Sequence, residues 1–539
     1  MSFVQVAPQL GNQYQHDAVL RAWLRRTFDP RALASVESDL LTLGGNAADA
    51  WRSVRARLSE EPQLTQWDVW GNRVDRIELT RAWRTAQPIA ARFGLVAAGH
   101  EPALGALARP HQFALVYLFH CASEFYTCPL AMSDGAATAL KASHNEALLA
   151  RALPHLLSRD PAQHWISGQW MTETSGGSDV GNTETTARVV DGQWRLYGRK
   201  WFTSAINAHM ALALARPEGA APGADGLALF YVEPRDAKDR WQGVRIDKLK
   251  RKLGTRELPT AEIHLDGVPA QLVGEPAHGV RAIAPMLNVT RIWNAVCALA
   301  TMRRALAIAH DFADRRHVFG RPLAGRPLHR ATLADLDAQF QAAFHLVFHA
   351  AELLGRVETG LAGPEQQNAL RLLTPLIKLW TGKLAVVIVS EACECLGGAG
   401  YLEETGMPQL LRDAQVFPIW EGTTNVLALD FLRAARSLGT QMLLDAQAAC
   451  AAQVSGGALS DILATARERC VRAAALLDTL GADREALEAN ARAIALGFAR
   501  GLALTMLARH ADWASHSRDD AHTFDAAQRF ASMIASTSC

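Results

Sequence analysis

The stretch VVDGQWRLYG at residues 189–198 decides the fold class, because it predicts two strands joined by a tight Asp-Gly turn. Short apolar runs bounded by glycine and proline follow at residues 211–215 and 227–232, and residues 261–265 alternate between apolar and polar side chains. Several short strands at this spacing predict an antiparallel β domain over residues 166–280, built as a small barrel or sandwich.

Helical periodicity surrounds this β region on both sides. Apolar residues recur at three- and four-residue spacing through residues 18–24 and 137–140. Helix-favouring sequence returns at about residue 282 and continues to the end. We therefore predict an α+β protein in four parts: an N-terminal helical domain with an extended lead (1–165), the β domain (166–280), a helical bundle (281–437) and an additional helical domain (438–539).

The bulk composition argues against several classes of protein. The 539 residues are 49% hydrophobic and 20% charged, an ordinary globular balance, and the formal net charge of +1 gives no global attraction to DNA or to an anionic membrane. The eight cysteines show no zinc-site spacing, the N-terminus lacks a secretory pattern, and no uncharged apolar run reaches ~18 residues. We expect a cytoplasmic protein without metal and without a membrane span.

Five segments carry the residue types of a binding or catalytic site. Glycines and hydroxyls in MTETSGGSD (171–179) allow a ligand to approach the backbone closely, and GRKWFTS (198–204) offers an aromatic face followed by a hydroxyl. The arginines of RRHVFG (315–320) suit a diphosphate. LGGAGY (396–401) lacks the spacing of a dinucleotide-binding fingerprint. Each of these four also fits an ordinary turn, packed strand or helix end.

The fifth segment, PIWEGTTN at residues 418–425, places the single carboxylate of Glu421 among apolar residues. Such surroundings disfavour the charged form, which suits a general base for a weak carbon acid. A helix cap is the structural alternative. A separate candidate is the helical triplet His345, His349 and Glu352, which lies on one helix face as either a metal-binding set or an ordinary packed or solvated face.

The order and separation of the five segments resemble the acyl-CoA dehydrogenase superfamily over about residues 50–435. GNRVD at 71–75, PQLGN at 8–12, the RRHVFG segment and the helical extension beyond 435 make the chain similar to the AidB-like branch, the adaptive-response flavoproteins. The resemblance implies an acyl-CoA dehydrogenase fold, an FAD cofactor, and a homotetramer arranged as a dimer of dimers.

The resemblance also implies which residues contact the cofactor. Thr172 and Ser178 would reach the flavin ring and the phosphate side, while Phe202 and Ser204 replace the family's usual Trp beside the flavin and the Thr that reaches flavin N5. Arg316 would bind the diphosphate of a neighbouring subunit's FAD. The remaining implied cofactor-binding residues are Phe319, Glu394, Gly398, Thr423 and Asn425.

The same resemblance implies a reaction. Glu421, with Arg291 nearby, would remove the α-proton of an acyl-CoA thioester while the β-hydride passes to flavin N5, and an electron-transfer flavoprotein would reoxidise the enzyme. The alternative is an AidB-like protein of the alkylation or stress response that binds DNA and has little dehydrogenase activity. Residues 440–539 hold nine Arg, no Lys and eleven Asp plus Glu, so DNA binding is not favoured. Apolar runs such as 473–477 favour a subunit or domain contact instead.

Overall fold

The computed structural model of the chain describes residues 6–54, 60–123, 125–517 and 522–536. The α-helices are α1 (Ala18–Thr27), α2 (Pro30–Val54), α3 (Arg81–Arg92), α4 (Ala108–His120), α5 (Thr127–Ser143), α6 (Glu146–Leu156), α7 (Gly279–Arg315), α8 (Pro327–Glu358), α9 (Pro364–Cys395), α10 (Met407–Ala414), α11 (Thr424–Leu438), α12 (Gln441–Ala451), α13 (Ser460–Leu480), α14 (Arg484–Ala489), α15 (Ala491–Ser517) and α16 (His522–Ser536). The strands are β1 (Gln63–Trp67), β2 (Arg73–Glu78), β3 (Ser167–Trp170), β4 (Thr186–Val190), β5 (Gln193–Ser204), β6 (Met210–Pro217), β7 (Ala228–Val232), β8 (Val244–Leu249), β9 (Thr260–Leu272), β10 (His317–Val318) and β11 (Arg321–Pro322). The predicted order of helical, β and helical regions is confirmed.

Two compact units divide the chain by internal packing. The helical unit takes its residues from 1–58, 101–122 and 291–539, and the β-containing unit takes its residues from 59–100 and 123–290. Helix α7 contributes its first residues to the β-containing unit and the rest to the helical unit.

The Asp-Gly turn at the centre of the β region has the predicted geometry. Asp191 and Gly192 have φ values of +50° and +75°, and Val190 pairs with Gln193 across the turn. Positive φ at both central positions is the type I′ hairpin turn, whose twist matches the flanking strands. The turn therefore fixes the register of β4 against β5.

The strands of the β-containing unit form a closed ring, so the barrel alternative describes the structure. β4, β5, β9, β7 and β6 pair in that order, and β6 returns to β4. The prediction of purely antiparallel pairing was incomplete, because β3–β6 and β4–β6 are parallel. The enclosed core is aromatic and aliphatic, and includes Trp170, Leu196, Phe230 and Ile263.

A hairpin interrupts the N-terminal region that we predicted to be mostly helical. β1 and β2 pair antiparallel, with Leu64 opposite Ile77, and both side chains pack on the barrel core. The exposed tip carries Trp70 and Gly71, and Gly71 has a φ of +82°. The packing of Leu64 and Ile77 on the barrel core explains why this segment is a strand pair.

The helical unit is a bundle in which the C-terminal helices pack on the central ones. Trp23 of α1 contacts Phe344 and Phe348 of α8 with ring centroids 6.2 and 4.4 Å apart. Helices α13, α15 and α16 pack against one another, and α15 and α16 also pack against α8. At Gly501 a Cβ atom would lie 2.5 Å from the Sγ of Cys470, so α15 approaches α13 closely there. Ala473, Ala474 and Leu477 are buried in the chain itself, as the predicted domain contact requires.

Three helices are long and apolar enough to cross a membrane on length and composition alone. These are α7, α9 and α15, and 67%, 83% and 78% of their most apolar windows are buried within the protein. Packing inside the fold accounts for most of this apolar surface.

Candidate active site

The first group of predicted site residues lies in the β-containing unit, on the loop after β3 and at the end of β5. Phe202 is 44% exposed and Trp201 is 38% exposed. The Ser204 hydroxyl lies 3.2 Å from Thr260 Oγ1, and the Trp201 amide donates to the Thr172 carbonyl at 2.9 Å. The structure therefore places an exposed aromatic face, a hydroxyl and the 171–179 loop side by side.

A buried ion pair connects that loop to β5. Lys200 Nζ donates to Glu173 Oε1 at 2.6 Å, and both side chains are almost fully buried. Glu173 also accepts from the Thr185 hydroxyl at 2.5 Å and from the Glu184 amide at 2.7 Å. Burial raises the pKa of Glu173, but the Lys200 charge and these donors outweigh it and hold the pKa below its ordinary value. Burial lowers the pKa of Lys200, and the Glu173 carboxylate opposes that shift. The short contact between the two side chains fixes the loop to the strand.

A lysine lies over the two exposed rings. Lys250 Nζ is 3.7 Å from the centroid of Trp201 and 4.5 Å from that of Phe202, and it pairs with Glu262 at 2.7 Å. A cation over an aromatic face is attracted by the ring quadrupole. This contact was not predicted, because Lys250 stands far from the rings in sequence and meets them only through the pairing of β5 and β8 with β9.

The second group lies in the helical unit, around Glu421. This residue has a φ of +55°, in the left-handed region that only glycine occupies without strain, and Gly422 follows with a φ of +99°. Thr423 then caps α11, accepting from the Val426 amide at 3.4 Å. The helix cap that we weighed for Glu421 is therefore Thr423, and Glu421 stands in the turn before it.

A network of charged residues holds the Glu421 turn. Arg291 Nε donates to the Glu421 carbonyl at 3.4 Å, while its Nη1 pairs with Asp430 at 2.8 Å. Asp430 also accepts from Arg371 at 2.6 Å. Burial opposes the charge of Asp430, but Arg291 and Arg371 hold its pKa below the ordinary value. The structure thus places Arg291 at the Glu421 backbone, with its charge balanced by Asp430.

Lys378 completes this network and was not predicted. It is fully buried on α9 and donates to the Gly422 carbonyl at 2.6 Å. Its sequence context, LIKLW at 376–380, is apolar on both sides of the lysine. A lone lysine inside an apolar helical stretch was the available signal, since a buried ammonium requires a partner.

The other predicted residues of the helical unit lie on its surface or ends. Asn425, Glu394 and Gly398 are exposed, and Arg316 is half-buried. Phe319 is 96% exposed at the tip of the β10–β11 hairpin, with the Arg326 guanidinium 5.4 Å from its ring centroid. The contacts that hold the Glu421 turn come from Arg291 and Lys378.

The helical triplet considered for metal binding makes other contacts. Glu352 accepts from Trp23 Nε1 at 2.9 Å and pairs with Arg26, while His345 stacks on His510 at 4.1 Å between ring centroids. Among the described residues, no three His, Cys, Asp or Glu side chains form a group that could hold a metal ion. The triplet packs between helices instead.

Three family models match most of the chain between residues 6 and 435. The AidB N-terminal domain family matches residues 6–161, the acyl-CoA dehydrogenase middle domain matches 168–268, and the acyl-CoA dehydrogenase C-terminal domain matches 277–435. The chain is 43% identical over 442 residues to acyl-CoA dehydrogenase family member 11 of Caenorhabditis elegans, covering 80% of this chain and 72% of the relative. The chain belongs to the acyl-CoA dehydrogenase family.

Further members of the acyl-CoA dehydrogenase family support the assignment. The putative acyl-CoA dehydrogenase AidB of Escherichia coli K12 is 33% identical over 439 residues, covering 78% of this chain and 77% of the relative. The structure of C. elegans ACDH-11 in complex with C11-CoA superposes with a TM-score of 0.93 at 37% identity, covering 98% and 92% of the two chains. An acyl-CoA dehydrogenase from Bacillus anthracis complexed with FAD shares the fold, with a TM-score of 0.74 at 19% identity over 97% and 90%.

Proposed function

We propose that the protein is an FAD-dependent acyl-CoA dehydrogenase in which Glu421 is the base that removes the α-proton of the thioester. The observation that carries the proposal is the strained turn at Glu421. A non-glycine residue in the left-handed region costs about 1–3 kcal/mol, and such strain persists only where surrounding contacts over-determine it. Arg291 and Lys378 supply those contacts.

The residues of the β-containing unit fit a flavin. The exposed Phe202 ring offers an apolar face, the Ser204 hydroxyl lies two residues further along the same strand, and the loop residue Ser178 is exposed for a polar contact. Large exposed aromatic side chains are unusual on a free surface and suit a planar ligand. When bound, FAD supplies the hydride acceptor of the reaction.

The helical unit supplies the proton chemistry. Glu421 in its ionised form takes the α-proton of a saturated acyl thioester, and loss of hydride from the β-carbon leaves the α,β-unsaturated thioester. Arg291 has its charge paired with Asp430, so its part is to hold the Glu421 carbonyl and not to carry a proton. The base is thereby aimed by backbone contacts before substrate arrives, which lowers the cost of reaching a reactive geometry.

Exposed apolar side chains support assembly into a homotetramer. Phe319, Tyr401 and Leu328 are 96%, 90% and 82% exposed in the single chain. Burying such side chains between copies contributes favourable free energy in proportion to the apolar area removed from water. We propose that these positions lie at subunit contacts. As a separate proposal, an electron-transfer flavoprotein is the electron acceptor.

The DNA-binding alternative gains no support from the C-terminal helices. Five arginines of these helices could form a phosphate-binding patch: Arg467, Arg469, Arg472, Arg492 and Arg500. Of these, Arg469 is buried and Arg472 pairs with Glu468. Neutralising several phosphates requires several free cations on one face. We therefore propose that these helices stabilise the bundle through their contacts with α8 and α9.

A panel of saturated acyl-CoA thioesters of increasing chain length tests the proposal. The purified flavin-loaded protein should reduce an artificial electron acceptor with at least one chain length, and the same substrate should bleach the flavin absorbance under anaerobic conditions. The C11-CoA bound to the worm relative makes medium-length chains the first choice. Bleaching with dithionite but with no acyl-CoA of any length would refute the proposal.

A further inference from the structure

Two cationic side chains hold two successive carbonyls at the strained turn. Arg291 donates to the carbonyl of Glu421 at 3.4 Å, and Lys378 donates to the carbonyl of Gly422 at 2.6 Å. The Lys378 bond is the shorter of the two and has the geometry of a charge-assisted hydrogen bond. The peptide after Glu421 is thus fixed from two different helices, α7 and α9.

The position of Lys378 is set by the close approach of α9 to this loop. One turn along the helix, a Cβ atom on Gly382 would lie 3.0 Å from the Phe417 carbonyl oxygen, so the helix has no room to move toward the loop. Lys378 is fully buried, and its Nζ donates a hydrogen bond to the Gly422 carbonyl. A lysine held in this way makes its main contact with the turn that carries the base.

The charge of Lys378 depends on the groups around it. Burial lowers the pKa of Lys378 to about 7, the positive charge of Arg291 acts in the same direction, and the negative charge of Glu421 opposes them. Asp430 and Arg371 are the other charged groups of this network, and they pair with each other. The protonation of Lys378 and the charge of Glu421 are therefore coupled.

We propose that Lys378 is a positioning residue for Glu421: its hydrogen bond to Gly422 maintains the left-handed turn, and its charge sets the base strength of the Glu421 carboxylate. This inference rests on the proposed function, because it assigns Glu421 as the base. A neutral amine still donates an N–H, so the hydrogen bond outlasts the charge. Losing the charge removes a cation beside Glu421 and makes the carboxylate a stronger base.

The sign of the pH effect follows from this coupling. Below pH 7 Lys378 is cationic and favours the ionised form of Glu421, which is the state before proton transfer. Above pH 7 that preference is lost, so proton transfer to Glu421 becomes easier. We expect kcat for the best acyl-CoA to rise as the pH passes through 7, with KM little changed.

Hydrogen–deuterium exchange of the apoprotein and of the flavin-loaded protein tests the Lys378–Gly422 hydrogen bond without turnover. In Lys378→Met, the amides of residues 419–424 should exchange about tenfold faster or more, because a charged hydrogen bond to the turn is lost. Lys383→Met is the matched control, since Lys383 lies on the same helix and is exposed. Unchanged exchange in a folded Lys378→Met protein would disprove the positioning role of this hydrogen bond, whether or not the protein oxidises acyl-CoA.

The charge is tested with Lys378→Gln, which keeps a donor and removes the titration. Its exchange at 419–424 should remain within about threefold of the wild type, well short of the tenfold change expected on loss of the donor. Its kcat should lack the rise near pH 7, whereas Lys383→Met should retain it. A Lys378→Gln enzyme that keeps the rise would show that another group sets the base strength.

Measuring the free energy of unfolding as a function of pH tests the charge of Lys378 without any substrate. The unfolded lysine has a pKa of about 10.4 and the folded one about 7, so between these values the unfolded chain binds more protons. Wild-type stability should therefore rise with pH over this window relative to Lys378→Gln, and also relative to Lys378→Met if that variant folds. Parallel stability curves would refute titration of Lys378 near neutral pH even if no acyl-CoA is turned over.

Discussion

Replacing Glu421 with Gln should leave a folded, flavin-loaded protein whose kcat for acyl-CoA oxidation is lower by about 10²–10⁴-fold, the usual contribution of a general base. Gln keeps the length of the side chain and most of its hydrogen-bonding capacity, so the left-handed turn and its contacts with Arg291 and Lys378 should be retained. The proton acceptor alone is removed. Stopped-flow bleaching of the flavin by substrate measures the loss directly.

Two further variants make the Glu421→Gln result specific. Glu404→Gln changes an exposed carboxylate in the short 3-10 helix Glu403–Thr405 and should keep wild-type bleaching. Glu421→Asp keeps the carboxylate but withdraws it by one methylene, and should retain a small part of the rate. Bleaching by Glu421→Gln at more than about a tenth of the wild-type rate would exclude Glu421 as the general base, because even a weak one contributes about 10²-fold.

Breaking the Glu173–Lys200 pair should have the largest effect on stability. Removing one partner of a buried ion pair leaves an uncompensated buried charge and typically costs about 3–5 kcal/mol. We expect Glu173→Gln and Lys200→Met each to lower the free energy of unfolding by this amount, measured by urea denaturation. Since the pair fixes the 171–179 loop to β5, both variants should also lose FAD during purification.

A double variant and an exposed pair complete this experiment. Glu173→Gln combined with Lys200→Met should cost less than the sum of the single changes, because no lone charge remains buried. Arg240 pairs with Asp236 at the surface, and Arg240→Met should change stability by no more than about 0.5 kcal/mol. Equal effects in the buried and exposed pairs would contradict the assignment of the loop's stability to Glu173 and Lys200.

The pH dependence of this stabilisation has a definite sign. The pKa of Glu173 lies below the ordinary value of 4.5, so the folded chain keeps the carboxylate ionised where the unfolded chain begins to bind a proton. The contribution is present above that ordinary value and is lost as the pH falls through the lower, folded value. The Glu173→Gln variant should therefore show a smaller loss of stability on acidification than the wild type.

Local patterns predicted the features that depend on neighbouring residues. The Asp-Gly sequence at 191–192 fixes its own turn through the backbone preferences of those two residues. The run of short strands around it predicted a β domain but left the choice between a barrel and a sandwich open. The spacing of the five segments predicted the family, which the matches across residues 6–435 confirm. The roles of the individual cofactor-binding residues stay predictions.

Local sequence patterns could not predict contacts between residues that lie far apart along the chain. Glu173 and Lys200 lie in the 171–179 and 198–204 segments, yet only the fold brings their side chains to 2.6 Å. Lys378 looked like one charged position on an apolar helix, and its depressed pKa depends on burial by elements far away in the chain. The β1–β2 hairpin was missed because its strand character comes from packing on the barrel, and not from local propensity.

The left-handed turn at Glu421 bears on how this chain responds to selection. Glycine occupies that backbone conformation without strain, so a mutation of Glu421 to glycine relieves a local cost while it deletes the carboxylate. With Glu421 as the proposed base, a library sorted only for heat resistance should enrich inactive proteins with glycine at this position, and the glutamate should be retained only where turnover is also selected. Selection for stability therefore favours glycine at position 421, whereas selection for activity favours glutamate.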